Sequence, residues 1–220
     1  FFIYFIKTII VFTQMRNGFG FIAFNNREGF FPVNKAPVRR AIAYGVNRKG
    51  MQEKLMNGMA NNVNSPISQN SWAYAEGLNK YPYKPEKAKQ ILKENGWKMK
   101  DGIFHKDGKP LKFTLTASSG SEFINELIAV AQNNLNNIGF DVKVQKIEFN
   151  TMREKINNGK LASWFMAWNL GADPDPYSMF HSDGSWNRTA WGTEKTDKLI
   201  EKARTTLDRY KRKQLYQEFQ

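Results

Sequence analysis

With 220 residues, 41% of them hydrophobic, the chain has apolar material for one large domain or two small ones, which excludes an intrinsically disordered protein. Lys and Arg number 33 against 20 Asp and Glu, a net charge of +13, but they are scattered; that pattern predicts a solvated basic surface, with a nucleic-acid-binding module as the alternative. The absence of cysteine excludes disulfides, thiol nucleophiles and thiolate metal sites.

The first residues, FFIYFIKTIIVFTQ, are apolar but interrupted by Lys7. They fall short of the about 20 apolar residues of a membrane span, and they lack the leading charge and cleavage site of a signal peptide. Their aromatic and β-branched content predicts a buried strand or two within an apolar flank over 1–18. The chain begins without methionine and stops on LYQEFQ inside a helical pattern, so it is read as a piece cut at both ends. FGFIAFNN (19–26) reads as a strand entering a polar turn. NKAPVRRAIAYGV opens a helix, with Pro37 at an early position where its missing N–H costs nothing and Val38, Ile42 and Val46 at helical spacing. Asn47 is placed as N-cap of the next helix, RKGMQEKLMNG, and Gly58 as its end. Residues 61–85 carry Asn, Ser, Pro and aromatics without periodicity, which predicts a long ordered loop.

PEKAKQILKENGW (85–97) is a helix opened by proline and closed by Gly96. Two Asp-Gly turn signals follow, and IFHK and LKFTLTAS are expected to be strands around the second. SEFINELIAVAQNNLNNIGF places Ile124, Leu127, Ile128, Ala131, Leu135 and Ile138 on one helical face, and DVKVQKIEF alternates as a strand. Strand, helix and strand at this spacing make a crossover unit, so the two strands should be parallel. The helix NTMREKINNG leads to the strand ASWFMAWNL, whose apolar run suits burial on both faces. The helices EKTDKLIEKARTTLD and RYKRKQLYQEFQ close the chain, and the densest basic cluster, Arg209, Lys211, Arg212 and Lys213, lies in the last.

Catalytic signatures are missing. His105 sits in a hairpin pattern and is read as structural or surface. His181, in HSDG, has Ser182 and Asp183 beside it, but a triad is assembled from separate segments. No glycine-rich phosphate loop, nucleophile elbow or zinc spacing occurs. The residues that stand out are in WNLGADPDPYSMF (168–180), which leaves a strand at its C-terminal end, where open α/β sheets bind ligands. Proline fixes its own φ and biases the preceding residue toward extended backbone, so DPDP holds two carboxylates in a stiff loop. Asp175 is placed either to cap a following helix, with Pro176 in its first turn, or to serve a ligand; a metal needs more ligands than the segment offers. Asp173 suits a ligand ammonium, because one charged hydrogen bond suffices and flanking aromatics exclude water.

Four blocks, VRRAIAYGVNRKGM (38–51), KPEKAKQILKENGW (84–97), WNLGADPDPYSMFHS (168–182) and TDKLIEKARTTLDRYKRKQLYQEFQ (196–220), carry a resemblance when taken in this order. From about residue 20 onward the chain resembles the C-terminal half of the extracellular solute-binding proteins, family 5, of ABC transporters, and looks most like their peptide-binding members. The resemblance implies one α/β lobe, 1–220, of a type II periplasmic-binding-protein-like clamshell, with a mixed sheet and flanking helices. It implies a monomer that closes on a short peptide and delivers it to membrane permease subunits, without cofactor, catalytic residue, metal or nucleic acid. The implied location is extracytoplasmic, as a Gram-positive cell-surface lipoprotein or a periplasmic protein. Carried over residue by residue, Asp173 takes the ligand's α-amino group, Asp175 is a second candidate and Trp168 packs near the ligand backbone. Asn169, Leu170, Gly171, Ala172 and Tyr177 complete the implied site. Where oligopeptide binders carry arginine on this strand, the chain has Met166 and Ala167, so a contact to the ligand's C-terminal carboxylate does not carry over. The family also includes binders of nickel chelates, haem and sugars; Trp164, Trp168, Trp186 and Trp191 keep a sugar open.

Overall fold

The stretch that reads as strand, amphipathic helix and strand forms the centre of the molecule. The computed structural model describes residues 18–220. In chain order they form β1 (Gly18–Phe24), α1 (Ala36–Gly45), α2 (Arg48–Leu55), α3 (Pro85–Glu94), β2 (Lys98–Lys100), β3 (Ile103–Lys106), β4 (Lys109–Pro110) and β5 (Lys112–Ser118). There follow α4 (Glu122–Asn136), β6 (Asp141–Ile147), α5 (Phe149–Asn157), β7 (Ser163–Asn169), α6 (Tyr177–Phe180), α7 (Glu194–Thr205) and α8 (Arg209–Phe219). The strands expected in the first residues lie outside the described residues.

β5 and β6 pair in parallel, as a crossover through α4 requires, with Phe113 opposite Val142 and Leu115 opposite Val144. Ser121 starts α4 by accepting the Ile124 N–H at 3.3 Å. The helix buries Ile128, Ala131 and Leu135 against Phe113, Leu115 and Ala117 of β5, and α1 and α3 add Val38, Ala41, Ile42, Ala88 and Leu92 to the same core. Asn47 caps α2 as expected, accepting the Gly50 N–H at 2.8 Å. That helix stops at Leu55, and the chain turns through Asn57 and Gly58, both at positive φ, where glycine is at ease.

The sheet order is β1-β7-β5-β6, with β1 antiparallel to β7 and the other pairs parallel, so the sheet is mixed. β7 meets β5 only at Ser163 and Trp164, then runs on beside β1 alone through Asn169. Its first two residues are therefore buried, whereas Ala167 and Asn169 are exposed. The expectation of a strand covered on both faces holds only for that start, because the covering layers end where β5 diverges. On the second face of the sheet, α5 packs Met152 and Ile156 against Ala23 and Trp164.

One pairing differs from expectation. IFHK does not pair with LKFTLTAS around the second turn; β3 lies between β2 and the two-residue β4 in a separate small sheet. Both Asp-Gly pairs do turn hairpins, with Asp101, Gly102, Asp107 and Gly108 all at positive φ, the two-residue geometry that matches strand twist. The hairpin after Gly108 includes Pro110, and the buried Leu111 adds one bond from its N–H to the Phe104 carbonyl at 2.7 Å before the chain enters β5. The final helices form as expected, except that Asp208 belongs to the second, accepting the N–H groups of Tyr210 and Lys211. The long loop is ordered against them: Ile67 and Ala73 pack on Ala203 of α7 and Tyr216 of α8.

Leu115 is fully buried on the central strand. Leu115→Ala is expected to lower the unfolding free energy by about 2–5 kcal/mol through lost transfer energy and a residual cavity. Urea denaturation checks this, and an unchanged midpoint would contradict the central place given to β5.

Candidate ligand-binding site

Where β7 leaves the sheet, a cavity of about 440 Å³ opens. Its walls are residues 168–176, then Ser178, Met179 and Trp186, faced by Pro66, Ile67, Ser68, Asn70 and Ser71 of the long loop. Asp173, Trp168, Asp175, Asn169, Leu170, Gly171 and Ala172 thus lie together on one cavity. Tyr177 does not line it. Its ring stacks on His181 at 4.2 Å between centroids, and the Arg204 guanidinium sits 4.1 Å from the ring centre on α7, so Tyr177 braces the loop.

The two carboxylates have different employment. The Asp175 carboxylate accepts the Tyr177 N–H at 3.0 Å, which satisfies the start of α6, and pairs with Arg204 at 3.0 Å. This is an Asx turn one residue ahead of the N-cap position, Pro176, which has no side-chain cap, so the expected capping by Asp175 itself is not seen. Asp173 accepts the Asp175 N–H at 3.2 Å and pairs with Arg212 of α8 at 2.8 Å. Its side chain is 62% exposed, against 27% for Asp175. A pair this open is worth about 0–1 kcal/mol, so exchanging Arg212 for another cation would cost little. Arg212 loses little in the exchange, since its Nε and Nη2 also donate to the Tyr216 hydroxyl at 3.2 and 2.9 Å.

Burial works against the charge of Arg212, yet its hydrogen bonds to Tyr216 and Asp173 outweigh it and hold its pKa above the ordinary value. Burial pushes the Tyr216 phenol up, against the pull of Arg212, so it stays neutral at physiological pH and its oxygen accepts.

Trp168 stands at the cavity's edge. Its ring stacks on Phe21 of β1 at 6.2 Å and meets Trp186 nearly edge-on at 5.4 Å. His181 is buried, accepts the Asp183 N–H at Nδ1, and so donates from Nε2 to Glu201 at 3.2 Å. The serine and aspartate beside it in sequence do not complete a catalytic arrangement: each engages the histidine or α7 through its backbone N–H, Ser182 to Asp197 and Asp183 to His181. Arg204, Arg212 and Trp186 carry the site's electrostatics and shape without a local sequence signal. They come from helices and a loop that only tertiary packing brings to DPDP.

A family profile, "Bacterial extracellular solute-binding proteins, family 5 Middle", matches residues 5–190. Oligopeptide-binding protein AppA of Bacillus subtilis is 32% identical over 206 residues, 90% of this chain and 38% of that protein. The AppA structure in complex with a nonapeptide superposes with a TM-score of 0.84 at 29% identity, covering 94% of this chain and 42% of that one. NikZ of Campylobacter jejuni, in complex with Ni(L-His), superposes at 0.84 and 28% identity, covering 93% of this chain and 42% of that one. The chain spans 36–38% of the length of the first curated relatives it matches.

Asp175→Ala is expected to lower the unfolding free energy by about 1–2 kcal/mol, the sum of a lost turn hydrogen bond and an ion pair. Asp173→Ala is expected to cost less than about 1 kcal/mol. Chemical denaturation of the two variants checks the division of labour, and the reverse order would exchange the roles.

Proposed function

The chain belongs to the bacterial extracellular solute-binding proteins, family 5, and on that footing we propose that it is one lobe of a peptide receptor. The intact protein would close two lobes on a short peptide and deliver it to the permease subunits of an ABC importer. It would act as a monomer outside the cytoplasm, either as a Gram-positive cell-surface lipoprotein or in a periplasm. It has no catalytic role in this reading, and its basic surface is solvent-facing, not a nucleic-acid site. Among the described residues no helix is long and apolar enough to cross a membrane.

The observation that carries the reading is Asp173: a carboxylate more than half exposed on a cavity wall, with a single exchangeable partner. A peptide's α-ammonium takes the place of Arg212, and closure of the second lobe removes the water that weakens the pair. Trp168 supplies an apolar wall for the ligand backbone, and Asn169, Leu170, Gly171 and Ala172 form the rim along which it lies. Asp175 serves the loop's shape and reaches the ligand only through it. The structure of NikZ with Ni(L-His) supports a second reading, a small metal chelate in the same cavity.

Calorimetry on the intact protein tests the first reading. N-acetylation of the peptide, or Asp173→Asn, is expected to weaken binding by about 2–5 kcal/mol, much of it the penalty of an unpaired charge. Equal affinity for free and acetylated peptides would remove the role given to Asp173. The 220-residue chain alone is expected to bind peptides only weakly, since it supplies one wall of the groove; sub-micromolar binding would contradict that.

A further inference from the structure

The wall that faces Asp173 across the cavity, within residues 66–71, belongs to the long loop between α2 and α3, which contains no helix or strand of its own. Its crown is tied to α8. Gln217 donates to the Tyr74 carbonyl at 3.1 Å; Gln220 donates to that of Ala73 at 2.8 Å and accepts the Ser65 hydroxyl at 2.6 Å. Its neck is tied to one side chain. Arg48 donates from Nη1 to the Val63 carbonyl at 2.8 Å and from Nη2 to Asn64 Oδ1 at 3.1 Å, on the way in. Nη2 also donates to the carbonyls of Lys80 and Tyr81, on the way out. One guanidinium therefore gathers both ends of the loop into the closed neck of an Ω-loop.

Two features show that the neck is held against resistance. Arg48 is half-buried with carbonyls and an amide oxygen as partners and no carboxylate among them, and burial lowers its pKa. Taking a cation out of water without a counterion is unfavourable. Tyr81 lies in the left-handed region, at φ 40°, although it is bulky and stands before Pro82, which biases it toward extended backbone. Such a residue keeps its conformation only where its surroundings over-determine it. Here Asn79 Oδ1 accepts the Tyr81 N–H at 3.1 Å, the ring meets Tyr44 of α1 at 5.2 Å, and the carbonyl accepts from Arg48 at 3.3 Å. The clamp stands on a fixed base: Asn47, just before it, caps α2 and donates its own N–H to Asn134 of α4 at 2.9 Å.

We propose that Arg48 is a positioning residue of the binding site: by closing the neck it presets the wall opposite Asp173, so that the cavity exists before the ligand arrives. The inference rests on the peptide reading above. Arg48 acts through the loop and not by touching the ligand. The role needs the guanidinium. Its planar fork presents donors in two directions at once, whereas a lysine ammonium on a flexible stem reaches one end of the loop or the other. An unclamped loop spends part of its time away from the wall position, and apparent affinity falls by the fraction of time it is correctly placed.

The test compares the intact protein with Arg48→Lys, with Arg48→Met, and with each of these combined with Tyr81→Asn. Two quantities are measured: hydrogen exchange of the amides of residues 63–81 without ligand, and retention of a pool of random-sequence peptides by mass spectrometry. Both Arg48 variants are expected to speed exchange in the loop and to weaken retention about tenfold, as for a loop correctly placed about a tenth of the time. Asparagine tolerates the left-handed region, so Tyr81→Asn is expected to recover part of both losses. That recovery separates a clamp on a strained turn from general loosening. Arg48→Lys, which keeps charge and stem, provides the test if Arg48→Met fails to fold. Native exchange and native retention in Arg48→Lys would overturn the clamp. Faster exchange with native retention would overturn the positioning role. No recovery from Tyr81→Asn would overturn the assignment to the neck. Retention of no peptide by the unaltered protein would overturn the peptide reading itself and this inference with it.

Discussion

The geometry of the site depends on the parting of β7 from β5. Two rungs of parallel pairing anchor Ser163 and Trp164 in the core, and from there only β1 accompanies the strand. A strand paired to Asn169 on both sides would end inside the layers, and its loop would be covered. Because one neighbour leaves, the same strand is core at one end and rim at the other, and the loop emerges beside an open sheet face. The acidic cavity is a consequence of that divergence.

The loop that emerges is held by electrostatics of two strengths. Asp175 has a backbone hydrogen bond, an arginine and a ring-stacked support behind that arginine, so it fixes the path of the chain. Asp173 has one guanidinium at an exposed position, where water screens the attraction to a fraction of its dry value. Two neighbouring aspartates of identical local sequence, each before a proline, therefore divide into a structural and an available carboxylate. The division is made by α7 and α8, which present Arg204 to one and Arg212 to the other. The net charge of +13 has little to do with it: the site reads local pairing, not the global balance.

Much of this was legible in the residues. The apolar spacing of α4, the cap at Asn47 and both Asp-Gly turns express short-range rules that the fold obeys. The parallel pairing of β5 and β6 follows from the handedness and length of their connection. The partner of IFHK was not legible, because a period of two fixes which side chains share a face and leaves the neighbour open; here a third short strand intervened. The burial of β7 was misjudged for a related reason: an apolar run records what the chain can bury, and the departure of β5 decided where burial stops. In the site, the cavity-lining loop was legible from DPDP, but Tyr177 changed sides because His181, one helical turn on, and Arg204, remote in sequence, claimed its ring.

The edge-on contact of Trp168 and Trp186, with Phe21 stacked behind, has an optical consequence. Two indoles 5.4 Å apart and inclined at 83° have coupled electronic transitions, and a chiral coupled pair contributes to near-ultraviolet circular dichroism. Both rings line the acidic cavity beside Asp173 and Asp175. The molecule thereby carries an intrinsic chromophore in the wall of the acidic cavity, with no dye or introduced thiol required to watch that wall.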